Sequence, residues 1–545
     1  MDRRRRLGSW KEIAGYVGRS VKTCQRWEQE SELPVHRLEG TPRSRVFADK
    51  DELDVWIRDK LHLAEASGDK AAPTWREEAS GGFSSLAVLP LRNLSGDAER
   101  EYVADALTEV LITELGSIGA LRVISHQSVR QFEEGHRPLP EIAKMLDVET
   151  IVEGTILDAG GRVRLTVNLV RASPEAHLWA QTYQCSKKNV EGVQRQIAQE
   201  VARQARIKLS PEQAARLSSR TLVDPRAYDA YLIGKASIRR SFVRGEIERA
   251  LHYYEKALSI DPDFAAALAE LAWCHGQLAH YGFVPPADGF AREKAAAERA
   301  LAIDPGLAEA HAVLGFVAFA SEWDWRRADR LMSRALELNP SSVRARRLQA
   351  YCFGCLGRVE EADRADAALI QLDPLTPEHH WNLGWSHFWF RRYDQAIAVF
   401  RKLLAMSPDD HYLRMALALA TFFSGSHAEA LVQADRARSG IPIGLDQQFD
   451  SLIAYVYART NQKRRAQETL DRWMAMAKER CINPLTMAIV HAGLGNTDEV
   501  FRWLEAGYQQ RHHMILWTRI APFFDHLRTD PRYINLMRRL NLPSA

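Results

Sequence analysis

A short stretch near the N-terminus gathers side chains suited to contact nucleic acid. Lys22 and Arg26 share the polar face of a predicted helix, and Thr23 and Gln25 lie on its flanks. Ammonium and guanidinium groups pair with phosphates, while amides and hydroxyls can bond to base edges. Residues 1–48 contain eleven Lys and Arg against six Asp and Glu, a surplus of five in a chain whose total surplus is three. This concentration of positive charge predicts DNA binding, although solvated charges on a small helical cap are the alternative.

A second candidate is a set of three tryptophans. Trp381, Trp385 and Trp389 are spaced by four residues and therefore form one stripe on a single helix. Such a stripe can hold an apolar segment of a partner or pack against the neighbouring helix, and the sequence leaves both readings open.

Residue patterns for catalysis are missing from the sequence. There is no GxxxxGK[ST] loop, no GxGxxG after a strand, no HRD or DFG motif and no HExxH. The pairs beginning at His379 and His512 have no carboxylate or cysteine at ligand spacing, and we interpret them as surface residues. Cys352 and Cys355 lack a second pair that would complete a zinc site, which favours core packing. We therefore expect a protein that is not an enzyme and has no catalytic residues, cofactor or metal.

The elements around the basic stretch predict a small DNA-binding module. Ser9 to Glu12 is a capping box for a helix that ends at Gly18, and Ser20 caps a second helix that carries the cationic face. Segments 34–38 and 45–47 could form a two-stranded wing, followed by a third helix. Two helices joined by a short turn, the second with cationic groups outward, is the helix-turn-helix arrangement.

Residues 7–59 resemble the winged helix-turn-helix of the MerR and excisionase type, most specifically from Trp10 to Arg37. In that family the second helix enters the major groove and the wing grips the flanking backbone. The resemblance implies contacts to base edges and nearby phosphates from Lys22, Thr23, Gln25 and Arg26. It implies phosphate contacts from Arg19, His36, Arg37, Arg43 and Arg45. Because one small module gives little affinity, we expect a homodimer on a pseudo-palindromic double-stranded DNA site.

The middle of the chain predicts a linker and then an α/β domain. Residues 61–82 are rich in Ala, Gly, Ser, Lys and Glu, without an apolar run, which indicates a flexible linker. Strands are predicted at 85–91, 121–125, 151–157, 163–170 and near 177–183, and helices at about 98–115, 139–146 and 190–209. Mixed strands and helices over residues 83–210 indicate an α/β sandwich.

Residues 83–209 are similar to the TolB-like, FlgO-like domain. The motifs are AVLPL from Ala87, NLSGD from Asn93, DALT from Asp105 and HLW from His177. The resemblance does not imply a biochemical activity for this domain. Asn93 to Asp97 could form a polar ligand loop at a strand end, or only a turn and a helix cap.

Six prolines divide the C-terminal half at regular intervals. Pro262, Pro305, Pro340, Pro374, Pro408 and Pro442 lie 43, 35, 34, 34 and 34 residues apart, and each closes an Ala- and Leu-rich helical run. The register, clearest from Trp381 to Pro408, resembles the tetratricopeptide repeat, in which paired antiparallel helices pack through small residues. We predict an array of about eight units over residues 225–545 that binds a protein or peptide.

The resemblance places the tryptophan stripe on a partner groove. In tetratricopeptide proteins this register usually faces the groove, and the matching positions in adjoining units are Phe316, Arg347, Tyr351, Met415 and Leu419. An aromatic groove with one arginine could hold an apolar peptide or a ligand that carries a carboxylate.

Composition completes the prediction. The 545 residues are 46% hydrophobic and 26% charged. The sequence contains no run of eighteen apolar residues, so it predicts neither a membrane span nor the apolar core of a signal peptide. The expected fold is multidomain and mainly α: a winged helix-turn-helix at 1–60, the TolB-like α/β domain and a C-terminal α-solenoid. The expected function is a cytoplasmic one-component transcriptional regulator whose TolB-like domain and array sense a protein or ligand. The alternative is a non-catalytic interaction scaffold whose N-terminal module docks protein rather than DNA.

Overall fold

The computed structural model describes residues 6–17, 21, 24–25, 28, 33–37, 46–50, 52–53, 82–95, 101–133, 137–159, 162–186, 189–218, 223–238, 244–444, 446–477, 482–540 and 542. These residues form two compact units. One contains the described residues of 1–71 together with 383–388 and 392–441, and the other contains the remainder.

The N-terminal residues build a helix and a small sheet. Helix α1 spans Trp10–Val17, and strands β1 (Arg6–Leu7), β2 (His36–Arg37) and β3 (Val46–Asp49) form an antiparallel sheet in the order β1-β3-β2. The Ser9 hydroxyl accepts a hydrogen bond from the Glu12 amide at 3.2 Å, as the capping box predicts. Strands β2 and β3 lie in or overlap the two segments predicted to form a wing.

A small apolar core supports these N-terminal elements. Its buried residues are Ile13, Ala14, Cys24, Leu33, Val46, Ala48 and Leu53, and Met406 packs against them. Of the predicted second helix, the structure describes Val21, Cys24, Gln25 and Glu28, all helical. The predicted turn at Gly18 to Ser20 lies outside the described residues.

The middle of the chain forms a mixed sheet with helices on both faces. The strands are β4 (Ser85–Val88), β5 (Arg92–Asn93), β6 (Arg122–Val123), β7 (Thr150–Ala159), β8 (Arg162–Ala172) and β9 (Glu175–Ser186). The order is β6-β4-β7-β8-β9, with β5 also pairing with β7. Strand β4 is parallel to β6 and β7, whereas β7, β8 and β9 form an antiparallel meander.

Two apolar layers cover this sheet. The helices are α2 (Glu101–Gly116), α3 (His126–Val129), α4 (Leu139–Leu146), α5 (Val190–Gln204) and α6 (Pro211–Ser218). Leu107 of α2 and Ile197 of α5 belong to one cluster, whereas Ile142 of α4 belongs to the other. Burial on both faces explains why β4 is buried throughout.

The C-terminal part is a helical solenoid, and the chain as a whole is mainly helical. Its helices are α7 (Pro225–Ser237), α8 (Arg244–Ile260), α9 (Ala265–His280), α10 (Pro286–Ile303), α11 (Ala308–Val317), α12 (Trp325–Leu338), α13 (Val343–Cys355), α14 (Val359–Leu372), α15 (Pro377–Trp389), α16 (Tyr393–Met406), α17 (His411–Phe423), α18 (His427–Arg438), α19 (Gln447–Arg459), α20 (Lys463–Met476), α21 (Pro484–Leu494), α22 (Thr497–Gln509) and α23 (Pro531–Leu540). We call residues 225–540 the repeat array.

Small residues let the two helices of a repeat approach each other. A Cβ atom on Gly384 of α15 would lie 2.4 Å from the Phe400 ring of α16, and one on Gly234 of α7 would lie 2.5 Å from the Tyr254 ring of α8. Both approaches are far closer than packed carbon atoms allow. The glycines are therefore required by the helix crossings.

The repeat array covers one edge of the sheet. The Val123 amide donates to the Ser341 hydroxyl at 3.1 Å, and the Ser125 amide donates to the Leu372 carbonyl at 2.8 Å. The Arg122 guanidinium donates to the Gln371 carbonyl at 2.9 Å. Tyr228 and Tyr254 of the first repeat also belong to the larger core of the α/β region. The α/β region and this part of the array thus fold as one body.

No described helix combines the length and apolar composition needed to cross a bilayer.

Candidate functional site

The structure describes a minority of the residues predicted to contact DNA. Gln25 is helical and exposed, and His36 in β2 is exposed with its Nε2 2.5 Å from Glu52 Oε2. Arg37 lies in β2, but its side chain is outside the description. The remaining predicted residues lie outside the described part of the chain: Arg19, Lys22, Thr23, Arg26, Arg43 and Arg45.

The histidine pairs are buried, so their interpretation as surface residues was wrong. His379 is 6% exposed and His513 is 1% exposed. The Nε2 atom of His379 lies 2.7 Å from Asp373 Oδ2, and Ser128 of α3 donates to Asp373 Oδ1 at 2.5 Å. Burial works to raise the pKa of Asp373, but the hydrogen bonds from His379 and its serine neighbours hold it below its ordinary value. These side chains join the α/β region to the array.

The polar loop after β5 forms a turn in its described part. The Asn93 side-chain oxygen accepts hydrogen bonds from the Ser95 amide at 3.0 Å and from its hydroxyl at 2.7 Å. Leu94 is exposed. Gly96 and Asp97 lie outside the described residues.

The tryptophans of α15 meet different surroundings. The Trp385 ring packs edge-on against Phe388 at 5.3 Å and Phe400 at 5.9 Å between centroids, within its own repeat. The Trp389 ring lies 4.9 Å from the Trp517 ring. Trp381 is partly buried, and Met415 of α17 is buried.

A segment near the C-terminus occupies much of the aromatic surface. We call His512–Leu527 the C-terminal segment; it contains two 3-10 helices, His513–Arg519 and Pro522–Leu527. It contacts two of the predicted groove positions, and a third packs against one of these two. Trp517 contacts Tyr351 and Trp389, and the Tyr351 ring lies 5.7 Å from Phe316.

Polar bonds fix the C-terminal segment in place. The Arg391 guanidinium donates to the Ile520 carbonyl and to Asp525 Oδ1, both at 2.7 Å. Phe523 is fully buried and lies edge-on to Tyr455 at 4.8 Å. Sequence periodicity missed this segment because it has no regular helical repeat, although its apolar residues were a signal that it is buried.

Two arginines of α13 stack on one indole ring. The guanidinium carbons of Arg344 and Arg347 lie 4.7 and 5.2 Å from the Trp273 ring centroid. Arg344 donates to Glu270 at 2.7 Å. Arg347 makes no hydrogen bond or ion pair with any described residue, and burial lowers the pKa of its guanidinium. Arg347 therefore carries a positive charge that no described acid neutralises.

The rim of this site is aromatic and otherwise neutral. Tyr281 is 41% exposed and interacts electrostatically with Arg347. Burial lowers the pKa of His280 and of His512 to about 4, with the charge of Arg347 adding to the effect at His280. Both imidazoles are neutral near pH 7. We call Trp273, Tyr281 and Arg347 the arginine site. Trp273 was not predicted, although it lies eleven residues after Pro262, as Phe316 lies after Pro305 and Tyr351 after Pro340.

A buried ionic cluster adjoins the arginine site. Lys235 lies 3.0 Å from both Glu109 of α2 and Glu270 of α9. Burial would lower the pKa of Lys235, but the two carboxylates raise it well above its ordinary value. Burial would raise the pKa of Glu270, yet Arg344 and Lys235 lower it to about 2. Lys235 and Glu270 are therefore both charged at neutral pH, and the cluster connects α2 of the α/β region to helices α7, α9 and α13 of the array.

The described residues contain no cluster of three or more acidic, histidine or cysteine side chains arranged to hold a metal. Cys352 and Cys355 are buried in α13, as core packing requires.

Family models match the repeat array. Two related models of the tetratricopeptide repeat match residues 356–411 and 382–440, and residues 244–264, respectively. The chain therefore contains tetratricopeptide repeats, which confirms the prediction from the proline spacing. Repeats of this kind indicate protein interaction.

Individual proteins are similar over parts of the chain. A Rhizobium meliloti (strain 1021) protein named "Putative adenylate cyclase 3" is 29% identical over 317 residues, 57% of this chain and 41% of that protein. The chain thus spans about two fifths of that relative's length. A solved structure of Pseudomonas aeruginosa pilF is 21% identical and covers 40% of this chain and 94% of its own, with a TM-score of 0.31. The solved structure of a tetratricopeptide repeat protein from Parabacteroides merdae is 13% identical and covers 50% of this chain and 100% of its own, with a TM-score of 0.37.

Proposed function

We propose that the chain is a non-catalytic interaction protein whose tetratricopeptide array binds a protein or peptide at the arginine site. The observation that carries this proposal is Arg347, a largely enclosed guanidinium that stacks on Trp273 and has no anionic partner among the described residues. An enclosed charge without a counter-charge is costly, and a bound anion would remove that cost.

The other predicted groove positions offer less open surface. Tyr351 and Trp389 contact the C-terminal segment, while Trp385 packs within its own repeat. Tyr281, in contrast, is exposed at the rim of the arginine site. The geometry therefore favours this site over the tryptophan stripe as the place where a partner binds.

The chemistry of the site defines the partner class. Arg344 is neutralised by Glu270, and the nearby His280 and His512 imidazoles are uncharged at neutral pH, so the arginine site carries one net positive charge. Trp273 and Tyr281 supply flat apolar surface. A peptide carboxylate next to an apolar or aromatic side chain matches both properties.

A peptide library displayed with free C-terminal carboxylates, and a second library with amidated ends, would test this proposal on the full chain. We expect carboxylate-bearing sequences to be enriched, and Arg347→Gln to weaken their binding at least tenfold. Arg364→Gln is the control, because Arg364 is exposed on α14. Equal binding by the Arg347→Gln protein would exclude the arginine site.

A second candidate function is DNA-bound regulation, favoured by the surplus of five positive charges in residues 1–48 and the small helix-and-sheet core. Under this proposal residues 1–60 are a winged helix-turn-helix, the α/β region is a TolB-like input domain, and the cytoplasmic protein binds its operator as a homodimer. A binder that neutralises about six phosphates should lose on the order of a thousandfold affinity between ~50 and ~200 mM salt. Genome-wide footprinting with a Lys22→Ala, Arg26→Ala control tests it: absence of discrete peaks would leave the interaction function alone.

A further inference from the structure

One edge of the sheet in the α/β region is open. Strand β9 is twelve residues long, lies at the end of the strand order and pairs only with β8 among the described residues. An edge strand presents a row of backbone amides and carbonyls to any strand that can lie beside it. The opposite edge, at β6, is covered by Ser341 and Leu372 of the repeat array.

Proteins commonly protect a long edge strand with lysines, prolines or bulges. A register shift near Leu178 disturbs the first part of β9, which leaves Trp179–Ser186 as its regular part. These eight residues contain no charged side chain and no proline. The regular part of β9 therefore lacks the usual protection against pairing.

The two faces of this stretch differ. Ala180, Thr182, Gln184 and Ser186 are exposed on one face. Trp179, Tyr183 and Cys185 are partly buried on the other, where they pack against the core that contains α5. A strand added beside β9 would therefore extend a sheet that already has one apolar layer, and would gain side-chain contacts as well as backbone hydrogen bonds.

We propose that β9 pairs antiparallel with β9 of a second copy of this chain, making one continuous sheet across a two-fold axis. Residues that face each other across antiparallel strands lie on the same side of the sheet, so the axis must pass midway between one residue and its own copy. Centring the regular part places it at Thr182 or Tyr183. Thr182 then lies opposite its own copy or opposite Gln184 of that copy.

Charge favours a second copy as the occupant. A strand that pairs with itself brings each charged side chain near its own copy when that charge lies close to the axis, which is destabilising. The regular part of β9 has no such charge. The flanking charges are of opposite sign, with Glu175 at the start and Lys187 and Lys188 following the strand in the sequence. Antiparallel pairing directs the acidic end of one copy towards the basic end of the other.

Sedimentation velocity and light scattering on the full chain test the proposal at ~1 to ~100 μM, the range expected for a small interface. We expect the mass to rise from that of the 61.8 kDa chain to twice this value. The Thr182→Lys, Gln184→Lys protein and the Thr182→Asp, Gln184→Asp protein should each remain monomeric. The neutral Thr182→Val, Gln184→Thr protein should dimerise like the wild type.

A mixture of the two charged variants supplies the decisive control, because association in the mixture shows that each variant is still folded and able to pair. An equimolar mixture of the lysine and aspartate proteins should form a heterodimer with opposite charges across the axis. A wild-type chain that stays monomeric throughout, variants that still dimerise, or a mixture that fails to associate would each overturn the proposal. Arg347→Gln should leave the dimer intact, which separates this result from that of the arginine site.

Discussion

The indole nitrogen of Trp517 donates a hydrogen bond to the hydroxyl oxygen of Tyr351 at 2.7 Å, joining residues 166 positions apart in the chain. The two rings also meet almost edge to face, at 5.1 Å between centroids and 78° between planes. This contact makes the C-terminal segment part of the core of its unit, although the segment belongs to no repeat.

We expect Tyr351→Phe to lower the free energy of unfolding by about 1 kcal/mol, since the Trp517 N–H loses its acceptor. Trp517→Ala should cost about 3 to 5 kcal/mol, because it also leaves a cavity among Tyr351 and Trp389. Urea unfolding of both proteins and of the double variant measures the coupling. Removal of the hydroxyl from the exposed Tyr412 should change little.

The ionic cluster should make stability depend on acid. The pKa of Glu270 is about 2 in the folded chain, below its value of about 4.3 when unfolded, so its contribution is present above the unfolded pKa and is lost as pH falls. As the pH falls from the unfolded to the folded pKa, we expect the free energy of unfolding of the wild type to fall by about 3 kcal/mol. The Glu270→Gln protein should not show this fall.

At neutral pH, Glu270→Gln should cost about 3 to 5 kcal/mol, because Lys235 and Arg344 lose a buried partner. Glu248→Gln is the matched control: Glu248 pairs with Arg244 at the surface, and its loss should cost less than about 1 kcal/mol. Equal destabilisation by both substitutions would contradict a special role for the buried cluster.

Glu293 should have the opposite pH dependence. It is 1% exposed, neither carboxyl oxygen has a hydrogen-bond partner among the described residues, and burial raises its pKa well above the ordinary value despite the charge of Arg344. Its contribution is therefore present below the unfolded pKa and declines as pH rises, by up to about 1.4 kcal/mol per pH unit. Glu293→Gln should remove this slope and be more stable than wild type near pH 8. Urea unfolding between about pH 5 and about pH 8 measures how the free energy of unfolding changes with pH. The same slope in Glu293→Gln and in the wild type would contradict a neutral Glu293.

Ser128→Ala should weaken the junction between the α/β region and the array. The Ser128 hydroxyl donates to Asp373 and accepts from the Leu375 amide at 3.0 Å, so its removal leaves two buried groups without this partner. We expect the free energy of unfolding to fall by about 1 to 3 kcal/mol. Hydrogen exchange should rise at Leu375 and at α3, whereas exchange in α21 should not change.

Local periodicity predicted the elements well where a repeat or an alternation extends over many residues. Helix α4 begins and ends where the sequence predicted, and β7 and β8 contain the strands predicted at 151–157 and 163–170. The crossing of α15 and α16 through Gly384 also follows from the repeat register.

Long-range contacts could not be predicted in the same way. The sequence shows His379 and His513 as polar residues without ligand partners, but their burial depends on Asp373 and on the Phe290 and His280 rings. Likewise, nothing near Arg347 in the sequence indicates that Trp273 stacks beneath it. The tryptophan stripe was a prediction about one helix, whereas the surroundings of Trp389 are set by a segment about 130 residues later.

The covering of β6 has a consequence for synthesis of the chain. The groups that bond Arg122 and Val123 come from residues 218 to 249 positions later. At about 5 to 20 residues per second, a ribosome takes roughly 10 to 50 s to make that stretch. During this time the edge of the nascent sheet has none of these partners, so chaperone occupancy on stalled chains should be highest before Leu372 emerges.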